Sequence, residues 1–216
     1  MLFIGCAQKR GQVQQRTASV ESTVGRRIEL LFLGHDSRHH FSEKYFPMLS
    51  LPLFQKGINM TYTSDPNALN AENLAQYDGV VIYANHNTIT PAQENALKTF
   101  VEGGKALIPL HAASFCFQNS DWYIKAVGGQ FSSHKYGTFT APVVKADHPV
   151  MQGWKTFETW DETYVHSKLN PDIIVLQERV EGDHHEPWTW VRTQGKGRVF
   201  YTAYGHDERT WKQSAF

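Results

Sequence analysis

Cysteine is nearly absent: the 216 residues include two, Cys6 and Cys116. Two cysteines build neither a disulfide framework nor a cysteine-based zinc site. An excess of either charge is also lacking, because 21 Lys and Arg balance 21 Asp and Glu. A phosphate-binding surface needs a net basic face, so nucleic acid is not an expected partner. No apolar run reaches the roughly 18 residues that a membrane helix needs. No Gly-x-Gly-x-x-Gly follows a strand and no Walker-type loop occurs, so no nucleotide cofactor is expected. A Gly-x-Ser-x-Gly elbow and a His-Glu-x-x-His pair are missing too. What is present is a chain 41% hydrophobic and 13% aromatic, enough for a core of ordinary size. The conspicuous surplus is histidine, of which there are 11. Histidine serves most readily as a metal ligand or as a proton carrier near neutral pH.

The ends read differently from the middle. The run Met1-Leu2-Phe3-Ile4-Gly5-Cys6-Ala7 resembles the end of a bacterial lipoprotein signal, in which the cysteine is lipidated. It is shorter than the roughly 7–15 apolar residues of a complete signal. Residues 1–26 are therefore read as a signal remnant followed by a polar, Gln- and Ser-rich tether. If Cys6 is lipidated, the protein is membrane-attached in the cell envelope or periplasm; otherwise it is cytoplasmic. At the other end Asp207-Glu208-Arg209-Thr210-Trp211 opens a helix that the chain end at Phe216 cuts short.

Between the ends, strands alternate with helices. Ile28–Leu33 is a buried first strand, and residues 58–63, 78–83 and 105–110 follow the same pattern. Residues 43–57 have helical spacing, but Pro47 and Pro52 predict a kink or a late start. Thr90-Pro91 opens a helix that runs to Glu102 and stops at Gly103-Gly104. This alternation predicts a parallel sheet covered on both faces. Residues 138–144, 173–176, 187–192 and 198–203 add strands in the C-terminal half, all within one domain.

In open parallel α/β sheets, ligands bind beyond the carboxyl ends of the strands. His35, His86, His111 and His206 each follow a predicted strand, and His134 reaches the same edge from a loop. Asp36 and Asp161-Glu162 are the nearest carboxylates in the pattern, unless the latter pair is a solvated turn. Histidine with carboxylate suits zinc or another divalent first-row ion, with His35, His111, His134 and His206 as the ligand set. Without a metal, the same residues could act as acid and base. In the adjacent pairs His39-His40 and His184-His185, neighbours point to opposite sides, so at most one of each serves a common site. Cys116 is read as buried. Trp188 and Trp190 share one face of a strand, where they fill a core or stack on a sugar ring.

Several segments together resemble a known family. They are residues 100–113 (Phe100-Val101-Glu102-Gly103-Gly104-Lys105 through Leu110-His111-Ala112-Ala113), then Gly128-Gly129-Gln130-Phe131 with His134. His148-Pro149-Val150, Asp161-Glu162-Thr163-Tyr164, Pro187-Trp188 and residues 195–206, ending Tyr204-Gly205-His206, complete the series. In this order they resemble the ThuA-like (trehalose utilisation) domain, from about Arg27 to the end. The resemblance implies an α/β, three-layer, flavodoxin-like (class I glutamine amidotransferase-like) fold. Its central sheet would be mostly parallel, with extra strands in the C-terminal half and a closing C-terminal helix that residues 27–216 lack.

The resemblance also implies bacterial sugar catabolism, through 3-keto derivatives of disaccharides or glycosides. Amidotransferases of this fold carry a nucleophilic cysteine where Leu110-His111-Ala112 stands, so glutaminase activity is not expected. Relatives occur as first modules of longer proteins, which makes downstream modules an expected partner. Two functions follow. One is a sugar-modifying enzyme with His111, Glu162 and His206 as catalytic groups, and with His35, Asp36, His134 and Trp188 on the substrate. The other is a non-catalytic carbohydrate-binding or docking module of a cell-envelope protein.

Overall fold

The computed structural model describes residues 25–35, 37, 39–214 and 216. Cys6 with its proposed lipid, the tether up to residue 24, and Asp36 lie outside the described residues. Among the described residues, no helix is long and apolar enough to cross a membrane.

The elements in chain order are β1 (Ile28–Leu33), α1 (Ser42–Gln55), β2 (Ile58–Thr63), α2 (Ala71–Leu74), β3 (Gly79–Ile82) and α3 (Pro91–Glu102). They continue with β4 (Ala106–Pro109), α4 (Asp121–Val127), β5 (Gln130–Thr140), β6 (Glu158–Ser167), β7 (Ile174–Glu181), β8 (His184–Gln194), β9 (Gly197–Thr202) and α5 (Glu208–Trp211). Seven strands form the main sheet in the order β2-β1-β3-β4-β9-β8-β7, while β5 and β6 form a separate two-stranded ribbon. Pairing is parallel from β2 through β1, β3 and β4 to β9. It is antiparallel from β9 to β8 and from β8 to β7. The protein is thus an α/β three-layer molecule with a mostly parallel centre and added antiparallel strands.

The alternation of side chains along β1 divides the core. Leu31 and Leu33 join Val80, Ile82, Leu97, Val101 and Leu107 on one face, beneath α3. Leu30 and Phe32 join Tyr45, Val81, Tyr83 and Trp211 on the other, beneath α1 and α5. β3, buried along its whole length, lies between β1 and β4. A strand covered on both faces has no polar side, which is why it reads as an unbroken apolar run. Both antiparallel hairpins turn in two residues that open on a glycine with φ +59°, Gly182 and Gly195. That backbone conformation suits the tight turns whose twist matches the flanking strands.

α1 does not start late: it begins at Ser42 and contains both Pro47 and Pro52. The packing of Tyr45 and its neighbours on the sheet offsets the backbone hydrogen bonds that the prolines remove. Residues 158–167 form a long strand, β6, rather than holding a solvated Asp161-Glu162 turn. Both acids are buried there.

At α3 the sequence signals are met in full: the Thr90 side chain accepts the Gln93 backbone N–H and the Gln93 side chain accepts that of Thr90. Thr90→Ala should cost about 1 kcal/mol, read as a lower urea midpoint with unchanged slope. Asp78, before β3, accepts the Glu29 backbone N–H and pairs with Arg26 and Lys105. These contacts, led by the Glu29 N–H and opposed by partial burial, hold its carboxyl at about 2, below its ordinary 3.8. A depressed carboxyl stabilises the fold above its unfolded value, and that contribution fades as pH falls from 3.8 towards about 2. Asp78→Asn should flatten the pH dependence of the unfolding midpoint in that window alone.

Candidate active site

The strand order reverses between β1 and β3, as it does where open α/β sheets place their ligands. Just beyond that edge, β4 ends and the chain turns sharply at His111, whose φ is +46°. A non-glycine residue held there stores roughly 1–3 kcal/mol of backbone strain, and such residues cluster at working sites. The turn buries the ring completely and stacks it on Tyr164, with centroids 4.2 Å apart. His111 Nδ1 lies 2.7 Å from the Ala203 carbonyl oxygen, and Nε2 lies 3.1 Å from Glu162 Oε2.

Glu162 comes from β6 and is the hub. Its other oxygen, Oε1, accepts the Tyr136 hydroxyl at 2.8 Å. His134 Nδ1 is 3.0 Å from the same oxygen and His206 Nδ1 is 3.2 Å from it. Tyr136 is the cross-strand neighbour of Glu162 on β5, so the register of the ribbon sets this contact. Burial on its own would raise the Glu162 carboxyl. The hydrogen bond and charge of His111, with His206 and Tyr136 beside it, outweigh burial and hold it at about 2. His206 is held below its ordinary value, chiefly by burial.

Asp161, the preceding residue, has a different task. It is fully buried and accepts from five donors: the backbone N–H groups of Glu162, Gly205, His206 and Asp207, and the Thr210 hydroxyl. It thereby clamps the loop after β9 and sets the position of His206. Gly205 has φ +135°, and its carbonyl accepts the Tyr83 hydroxyl and the Trp211 indole N–H.

A cavity of about 360 Å³ opens over this cluster, lined among others by His40, Asn85, Phe131, His134, Tyr136 and Glu162. A larger depression between α2 and α3 is lined by amide, hydroxyl and apolar side chains without an ionisable group, so it offers no comparable chemistry.

The structure thus brings His111, Glu162, His134 and His206 together. His35 stands aside: its Nδ1 contacts Asn85 Oδ1 and its ring lies 4.2 Å from that of His86. It lines a neighbouring pocket together with His40 and Ser42. Trp188 is not at the site. It is wholly buried against Phe139 and Tyr204, with Arg179 over its ring. A tryptophan on the inward side of a central antiparallel strand is consumed by the core. Cys116 is buried and its thiol is pushed far above the usual range by burial, which removes it as a nucleophile. His148 caps a turn, with Nδ1 accepting the Val150 N–H.

Sequence reasoning missed His40 and Tyr136. Of the pair His39-His40, His39 is exposed and His40 buried. The His40 ring lies 5.3 Å from that of His111 and 5.4 Å from that of His206. Burial first, then His111 and His206, hold its pKa down at about 2, so it is neutral.

Fold and site together define a flavodoxin-like α/β protein with a buried histidine–carboxylate cluster beyond the strand ends. Residues 29–216 match the family described as ThuA, trehalose utilisation. The chain belongs to that family. Among solved structures it is similar to a ThuA-like protein from Bacteroides uniformis, at 20% identity and TM-score 0.76, covering 93% of this chain and 90% of that one. A ThuA-like protein from Parabacteroides merdae is similar at 14% identity and TM-score 0.72, over 87% and 85% of the two chains. A cold-adapted β-galactosidase from Rahnella sp. R3 shares the fold over 86% of this chain and 30% of its own, at 13% identity and TM-score 0.62. No curated protein matches the sequence.

The Asp161 clamp is directly testable. Asp161→Asn puts an amide donor among backbone donors, and should destabilise the protein by roughly 3–5 kcal/mol. Hydrogen exchange at Gly205, His206 and Asp207 should quicken more than exchange in β3.

Proposed function

We propose that this protein is an enzyme of bacterial carbohydrate catabolism, acting on a 3-keto-disaccharide or related glycoside by proton transfer. The observation that carries this is the buried Glu162 carboxylate with His134 held against it at the cavity mouth. His134 is 35% exposed at its side chain, so among the imidazoles of the described residues around Glu162 it alone combines free access to the cavity with a fixed carboxylate partner.

A 3-keto sugar has an acidified C–H beside its carbonyl. An imidazole at the mouth removes that proton, and the C–H electrons form the C1–C2 double bond as the C1–O bond breaks. The departing oxygen then takes the proton back from the imidazolium. The Glu162 carboxylate orients the ring and stabilises its charged form, as a carboxylate does for other catalytic histidines. Tyr136, stacked on Trp160 with centroids 5.3 Å apart, supplies an aromatic rim suited to a sugar face. The family's trehalose-utilisation description and the fold shared with a β-galactosidase support a sugar substrate.

The same aromatic rim favours a second reading, a module that binds a sugar without transforming it. Turnover separates the two. Wild type should release aglycone from a 3-keto-glucoside, and His134→Asn should reduce kcat by about 10²–10⁴-fold with the fold retained. Glu162→Gln should lower kcat as well. Sugar binding without turnover in wild type would establish the module, and full activity in His134→Asn would sink the proton-transfer assignment.

A further inference from the structure

The cluster beneath the cavity holds more than the proton chemistry uses. We infer that His40, His111, Glu162 and His206 form a binding site for a single divalent first-row metal ion. One donor atom from each lies within 4.8 Å of all the others. Ligands at about 2.0–2.1 Å from one tetrahedral ion are separated by roughly 3.3 Å, so donor pairs need to close by at most about 1.5 Å to complete the site.

Three observations point independently to a cation. First, His40 is 7% exposed, yet neither ring nitrogen has a hydrogen-bond partner. A buried imidazole with both nitrogens unpaired forfeits its hydration for nothing unless something binds it. Second, the neighbours of His111 fix its orientation. A carbonyl only accepts, so Nδ1 donates its proton to Ala203 O, and Nε2 is the nitrogen turned towards the carboxylate oxygen 3.1 Å away. A metal-ligating histidine characteristically anchors its other nitrogen on a carbonyl in this way. Third, His206 Nδ1 is buried without a hydrogen-bond partner and aims at the same carboxylate.

The four ligands come from four separate parts of the chain. They are the entry to α1, the strained turn after β4, the middle of β6, and the loop clamped by Asp161. Three imidazoles and one carboxylate suit zinc and its first-row neighbours rather than calcium or magnesium, which prefer all-oxygen sets. When bound, such an ion would polarise a substrate carbonyl or hydroxyl oxygen reaching it from the cavity. Glu162 Oε1 would stay with Tyr136 and His134. The site rests on the same cavity being the working centre, but it can be tested without any sugar.

The test is a calorimetric titration of the chelator-stripped full chain with zinc chloride, alongside thermal melts. One zinc per chain and a rise in Tm are expected, since a ligand that binds only the folded state stabilises it. His40→Ala and His206→Ala should each weaken binding at least tenfold and reduce the Tm rise. His35→Ala and the surface variant His184→Ala should leave both unchanged. Should His40→Ala fold poorly, His40→Gln serves with the same expectation. No zinc uptake by wild type, or uptake indifferent to both His40 and His206, overturns the site. Loss of binding in His184→Ala to the same degree overturns it too. Because the readout is metal uptake, failure here leaves the proton-transfer reading standing, and inactivity on keto-sugars leaves the metal site standing.

Discussion

The architecture of the site depends on one buried charge. Among the described residues Asp161 forms no ion pair; five hydrogen-bond donors take the place of water. A carboxylate removed from solvent is costly unless every lone pair is used, so the backbone that supplies those donors is forced into one conformation. That backbone is the loop after β9. The clamp joins the ribbon to the last parallel strand of the sheet, and His206 and Glu162 face each other as a consequence. Without it, β6 and the β9 loop would keep the single His206–Glu162 contact and packing, which fix position far less strictly than five directional bonds.

The parallel half of the fold was legible because its residues obey local rules. β1 and β3 are apolar runs because they are covered on both sides, and α3 announces itself with Thr90, Pro91 and two closing glycines. β6 was opaque for the opposite reason. Its run Asp161-Glu162-Thr163 is polar and buried, and no periodicity rule anticipates acids in a core. Their burial is repaid by groups far away in sequence, at Gly205, His206, Thr210 and His111. The same distance effect hid His40. An exposed and a buried histidine side by side look identical until the entry to α1 is placed. Conversely, Trp188 looked like a sugar platform because sequence shows which face of a strand it shares but not what covers that face.

The site itself was half legible. His111, His134 and His206 mark themselves by following strands or by sitting in family segments, and Glu162 by its place in one of those segments. Glu162 rather than Asp161 was named as the catalytic acid, but the reason for the difference was not accessible, because adjacent acids differ only in what three-dimensional neighbours present to them. One meets backbone N–H groups and becomes architecture. The other meets imidazoles and a phenol and becomes chemistry.

Glu162, His134 and Tyr136 all belong to the β5–β6 ribbon, which shares no strand with the main sheet. His40, His111 and His206 belong to the sheet's edge. The two halves of the cluster therefore lie on structural units that can diverge at different rates. Changes in the sheet are constrained by its doubly covered core, whereas much of β5 is exposed and free to vary along its outer face. A lineage built on this plan can retune what enters the cavity by rewriting a hairpin while inheriting the histidine wall unchanged.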